Sequence, residues 1–141
     1  MFDVALAEAG AQVVLASSCD EKHPPECVID GKPDTLWCTT GNYPQELIIT
    51  FTSLMNINTV SVACYNLKNL SIERSTQHTP IAFEFLEEKE AENVDRYQQQ
   101  NLEFNFTNTT ALHLKFSIES GSGHFVSINN INVDGTAVPN A

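Results

Sequence analysis

The chain has 141 residues, 42% of them hydrophobic with eight Phe and three Tyr, and seven basic against eighteen acidic side chains give a net charge of −11. That length suits one domain burying roughly 68% of the unfolded surface, and the apolar content excludes intrinsic disorder. The charge excludes nucleic acid and anionic membrane, which are held mainly by Lys and Arg neutralising phosphate, and favours a basic protein face or a divalent cation.

At the N-terminus, Asp3 and Glu8 stand where a secretory signal needs a basic region and an unbroken apolar core. No stretch approaches the roughly 20 apolar residues of a membrane span. The expected compartment is therefore the cytosol or one continuous with it. There, Cys19, Cys27, Cys38 and Cys64 are expected to stay reduced, and no C-x-x-C pair among them suggests zinc. The sequons at Asn69, Asn105 and Asn108 carry no meaning without a secretory route.

A long segment from Ser17 to Glu46 comes next, rich in turn formers and oxygen donors and poor in strand periodicity. Within it, Pro24–Asp30 suits a short helical turn, with Pro early and Glu26 near its start. Beyond it, short alternating sets follow: Leu47, Ile49 and Phe51; Val60, Val62 and Cys64; Ile81, Phe83 and Phe85; Leu102, Phe104 and Phe106; then Leu112, Leu114, Phe116 and Ile118. A period of two places each set on the buried face of a strand. The third strand is expected to end near Glu87, with Glu88 to Gln100 a solvated loop lacking the apolar stripe of a helix. Near the end, Ile128 and Ile131 are three apart, which a β-bulge, or a strand shifting its contacts between sheets, reconciles with the strand period. The expected fold is all-β, a jelly-roll sandwich forming one domain over residues 1–141.

Loops as long as 17–46 are usually functional or organised by something. In Asp30-Gly31-Lys32-Pro33-Asp34-Thr35-Leu36-Trp37, Asp30 offers a carboxylate, Gly31 a tight bend and Thr35 an oxygen, with backbone carbonyls near Cys27 and Lys32 in reach. Calcium wants six to eight such oxygens. The same residues also make ordinary metal-free turns, so the pattern alone leaves both readings open. Trp37, the only tryptophan, is expected in the core.

The order Asp30-Gly31-x-x-x-Thr35-x-Trp37 resembles the galactose-binding-like or discoidin (F5/8 type C) superfamily. More narrowly, Asp20-Glu21-Lys22-His23-Pro24-Pro25 and Thr39-Thr40-Gly41, with weaker similarity through Leu70–Thr76, His124-Phe125-x-Ser127 and Gly135-Thr136, resemble its ciliary branch, also called small heat-shock proteins. That resemblance implies a galactose-binding-like jelly roll with one structural calcium ion on Cys27 (backbone carbonyl), Asp30 and Thr35. A further ligand on the last strand falls near Asn130. It implies a non-catalytic scaffold subunit of intraflagellar transport complex B, at the cilium or flagellum, its basal body and the cytoplasm. The implied partners are a Rab-like small GTPase, intraflagellar transport protein 27, and other complex B subunits.

Three rival functions are weaker on the residues. Gly121-Ser122-Gly123 lacks the spacing of a nucleophile elbow, His23, His78 and His124 read as loop residues, and His113 falls on the polar face of its strand. A carbohydrate- or small-ligand-binding module of discoidin type wants arginines near the early loop, but the two present are Arg74 and Arg96. The tail Val138-Pro139-Asn140-Ala141 lacks the terminal anchor of small heat-shock chaperones. Tyr43, Tyr65 and Phe125 are candidate interface anchors, because aromatics dominate interface energetics.

Overall fold

The computed structural model describes residues 3–18, 21–32, 34–39, 42–92, 98–121 and 125–139. Among the described residues seven strands run in chain order: β1 (Gln12–Ala16), β2 (Trp37–Cys38), β3 (Gln45–Tyr65), β4 (Leu67–Ser75), β5 (Glu84–Glu90), β6 (Gln100–Gly121) and β7 (Ser127–Ala137). Short 3-10 turns stand at Ala7–Ala9 and Pro25–Ile29. All pairings are antiparallel.

β3 and β6 are each long enough to serve two layers. Near its start β3 pairs with β1 and with residues 113–118 of β6, and β6 continues through β4 to β5. Past a register shift between Thr50 and Met55, β3 pairs with Gln100–Ala111 of β6 and with β7, which carries β2. Bending both strands produces a five-stranded arm and a four-stranded arm, the two layers of a jelly roll. A single apolar cluster joins them, including Leu47, Ile49 and Phe116 from the first arm and Val62, Phe104 and Ile131 from the second.

The alternation in Leu47–Phe51, Val60–Cys64 and Leu102–Phe104 emerges as expected, with all the inward members buried. A second register shift, between Ile57 and Thr59, moves the inward set from odd to even numbers, so both halves of β3 face one core. The turn at Pro25–Ile29 also forms, burying Pro25, Val28 and Ile29. The bulge expected between Ile128 and Ile131 is present: Ala63 pairs with Asn130 but Cys64 with Ile128, leaving Asn129 extra.

Several expectations change. Ile81 and Phe83 lie outside any strand, and Ile81 and Phe85 are exposed. β5 is the last strand of its arm and begins only at Glu84, after Ala82 takes a positive φ of 56°. A bulge then gives the core contact to Leu86 instead of Phe85. β5 runs on to Glu90, past the expected end. Leu112 is only half-buried, its place in the core taken by Ala111. His113 is buried although it faces away from the core, because the chain after β4 folds over it: its imidazole bonds to Thr50 Oγ1 at 2.8 Å and to Gln77 O at 2.9 Å.

Gln100 shows how a buried polar group joins elements. Its Oε1 accepts from Leu67 N at 2.9 Å, and its Nε2 donates to Leu67 O and Glu92 O, each at 2.9 Å. Gln100→Ala removes the partner of three backbone groups near the core. The expected cost is about 2–3 kcal/mol of unfolding free energy, read by urea denaturation; a loss within experimental error would mean water takes over those bonds.

Cys27, Cys38 and Cys64 are free thiols, as expected of a reduced chain, while Cys19 lies outside the described residues. Burial pushes the Cys64 thiol up to about 12. Cys64 is therefore expected to resist iodoacetamide at about pH 8 until the chain unfolds, because only the thiolate reacts. Mass spectrometry of native and urea-treated samples checks this, and rapid native labelling of Cys64 would contradict it.

Candidate functional site

The early loop is built around its prolines and one glycine. Pro24 is extended, Pro25 occupies the first helical position, and Cys27 N donates to Pro24 O at 3.1 Å. Asp30 closes the turn, and Gly31 takes a φ of 75°, a conformation open to glycine without strain. The chain then bends back, with Lys32 N donating to Asp30 Oδ1 at 2.9 Å. Cys38 N donates to His23 O at 3.3 Å, closing the loop at its far end.

The Thr35 hydroxyl stands in the middle of this loop. Its oxygen lies 2.7 and 2.9 Å from the two Asp30 carboxylate oxygens, 3.4 Å from Lys32 O and 3.5 Å from Cys27 O. One hydroxyl carries one proton and can donate one hydrogen bond. Counting Thr35 itself, five oxygens thus converge with a full negative charge among them and a single proton to share. This is the donor set a hard divalent cation takes, and Asp30, Thr35 and the Cys27 and Lys32 carbonyls fit one. Burial first, and the negative charge of Asp30 second, push the Cys27 thiol up, so its sulfur stays protonated and its carbonyl is the available ligand. Among the described residues no three His, Cys, Asp or Glu side chains gather as a metal cluster; the arrangement depends on one carboxylate plus hydroxyl and carbonyl oxygens.

Two elements anchor the loop. Trp37 is fully buried, as expected, and its Nε1 donates to Ser18 O at 2.9 Å, tying the loop's two ends together. The strand it begins pairs with Ile128 and Ser127 of β7. The second anchor is Asn129, the bulge residue of β7, whose Nδ2 donates to Thr35 O at 3.3 Å. Its Oδ1 is buried without a hydrogen-bond partner among the described residues. Sequence reasoning pointed to Asn130 instead. Asn130 faces outward, where it lines a shallow trough of about 370 Å³ with Ser61, Ala63, Asn101, Glu103 and Asn132. The bulge moved the inward position by one residue.

Of the candidate anchors, Tyr43 packs against the core, Tyr65 is half-buried, and Phe125 is exposed beside the bonds between Thr39 and Val126. His78 is exposed, while His124, Ser122 and Gly123 lie outside the described residues. No helix among the described residues is long and apolar enough to cross a membrane.

Residues 14–131 match the F5/8 type C domain. The chain is similar to the "Intraflagellar transport protein 25 homolog" of Homo sapiens, at 41% identity over 99% of this chain and 96% of the relative. It is also similar to "Intraflagellar transport protein 25" of Chlamydomonas reinhardtii, at 36% identity over 96% of this chain and 70% of the relative. Among solved structures, a family 32 carbohydrate-binding module from Clostridium perfringens NanJ, in complex with galactose, superposes with a TM-score of 0.77 at 18% identity, covering 94% of this chain and 98% of the other. The C-terminal domain of a Bacteroides fragilis chitobiase superposes with a TM-score of 0.80 at 20% identity, covering 95% of this chain and 99% of the other. These two likenesses establish the jelly-roll fold.

Proposed function

The chain belongs to the intraflagellar transport protein 25 family, built on an F5/8 type C domain, and from that membership we propose that it is a non-catalytic scaffold subunit of intraflagellar transport complex B. In this reading it pairs with the Rab-like small GTPase, intraflagellar transport protein 27, and holds one structural calcium ion in its early loop. Its role lies in intraflagellar transport, at the cilium or flagellum. The observation that carries the reading is similarity at 36–41% identity over nearly the whole chain, which leaves no large part of the fold to a different purpose.

The calcium part is supported by the oxygen cluster around Thr35. A bound calcium ion supplies the positive charge that one hydroxyl proton does not. Asp30 supplies the formal charge, Thr35 its hydroxyl, and Cys27 and Lys32 their carbonyls, and the loop these residues belong to is tied to β7 through Asn129. With one carboxylate, the site is a staple for the loop and not a sensor.

The partner part is supported by the charge of −11, which steers a basic patch on another protein into place. GTP binding and hydrolysis belong to that partner. A tagged chain expressed in ciliated cells is expected to sediment with the complex B subunits. Sedimentation at the size of the free chain would sink the scaffold reading and turn attention to small ligands and glycans.

A further inference from the structure

We propose that the outward face of the five-stranded arm is a docking surface for a basic amphipathic helix of a partner protein, lying across the strands from Leu15 to Phe85. Leu15 pairs with Ile48, Ile48 with Lys115, Lys115 with Glu73, and Glu73 with Phe85. Directly paired residues share a face, and the neighbours Leu47, Ile49, Leu114, Phe116 and Ile72 are buried in the core. The five therefore form one transverse row on the side away from the core.

Both ends of that row are apolar and open. Leu15 is 45% exposed, Phe85 57%, and nearby Val14 and Ile81 46% and 59%. A bulge at each edge of the arm produces this. On β1 the extra residue is Val14, so Val13 reaches the core while Leu15 faces out; on β5 the extra residue is Leu86, so Leu86 reaches the core while Phe85 faces out. Three of the five exposed large hydrophobic residues among the described residues, Val14, Leu15 and Phe85, thus belong to this arm, and Ile81 stands just before β5. The exposed apolar surface comes in two separate pieces, one at each edge of the arm.

The middle of the row selects the occupant. Lys115 Nζ lies 3.1 Å from Glu73 and 3.5 Å from Glu46, and 4.8 Å from the centroid of the Phe83 ring. One cation between two carboxylates leaves a net negative charge at the centre, with exposed Glu88 in the adjoining row. Four strand spacings separate the ends of the row by about 19 Å, which a helix spans in about 13 residues. The complementary ligand is a helix with apolar groups near both ends and Lys or Arg between them on the same face. A second copy would set acid against acid, each chain carrying −11, and an anionic membrane is repelled by the same charge.

The test uses the whole chain and a synthetic helical peptide of about 14 residues, with Leu at both ends and Lys between on one face, followed by fluorescence anisotropy. Saturable binding to the wild type is expected. Leu15→Asp and Phe85→Asp should each weaken it by about tenfold or more, with Tm unchanged because both sites are exposed. Asn132→Ala, on the other arm, should leave it intact, and a peptide with Glu in place of Lys should not bind. Absent binding to the wild type, or full binding to the Leu15→Asp/Phe85→Asp double variant, overturns the proposal. So does self-association of the wild type, or its adsorption to phosphatidylserine vesicles, if the double variant abolishes it. None of these measurements involves the GTPase, so the proposal stands or falls apart from that pairing.

Discussion

Trp37→Ala is expected to lower the free energy of unfolding by about 4 kcal/mol, among the largest losses a single substitution in this chain can cause. The indole is fully buried and its Nε1 donates to Ser18 O at 2.9 Å, so truncation opens a large cavity and also leaves a backbone carbonyl without its donor. It starts a strand of two residues, too short to hold its place beside β7 by ladder bonds alone. Trp37→Phe keeps most of the volume and loses the hydrogen bond, and should cost roughly half as much. Urea denaturation followed by circular dichroism measures both, since the substitution removes the chain's only tryptophan and with it the usual fluorescence probe. A loss below about 1 kcal/mol for Trp37→Ala would mean that the ring is not the anchor of the early loop.

Asp30→Ala carries the second large effect, and its size depends on calcium. A ligand at about one hundred times its dissociation constant stabilises the folded state by about 2.7 kcal/mol, on the order of 10 °C in Tm for a domain of this size. Replacing Asp30 removes the only carboxylate of the cluster among the described residues, so the variant is expected to melt at the same temperature in calcium and in chelator. In chelator it should fall below the wild type by only about 1 kcal/mol, the worth of the lost contacts to Thr35 Oγ1 and Lys32 N. Thr35→Val should reproduce the calcium effect in part, because it removes the hydroxyl where the oxygens meet. Equal melting temperatures for the wild type in calcium and in chelator would remove the ion from the account.

The sandwich was legible because most of its core strands have one buried face. Leu47–Phe51, Val60–Cys64 and Leu102–Phe104 alternate in the sequence as they do in the fold. Ile81, Phe83 and Phe85 carry the same pattern with the opposite outcome: alternation reports that a strand has two unlike faces and not which one the core receives, and at the edge of the arm a bulge reversed the choice. His113 was placed on a polar face, which is where its strand puts it, but burial came from a segment folding over that face, a contact distant in sequence. The oxygen cluster at the centre of the candidate site was legible because Asp30, Gly31 and Thr35 lie within one short loop. Asn129 was missed by one position. The signal was present in the spacing of Ile128 and Ile131, since a bulge between them turns an extra side chain inward, and only the pairing with Ala63 and Cys64 fixes which one. Gln100 gave no signal, because its three partners belong to Leu67 and Glu92, and polar satisfaction across strands leaves no local pattern.

The scaffold reading is tested most directly by co-expressing the chain with the Rab-like transport GTPase and passing the product through size-exclusion chromatography with calcium present. Co-elution as a one-to-one heterodimer is the predicted result. Separate elution of the two proteins, with this chain folded and monomeric, would contradict the pairing while leaving the jelly roll intact.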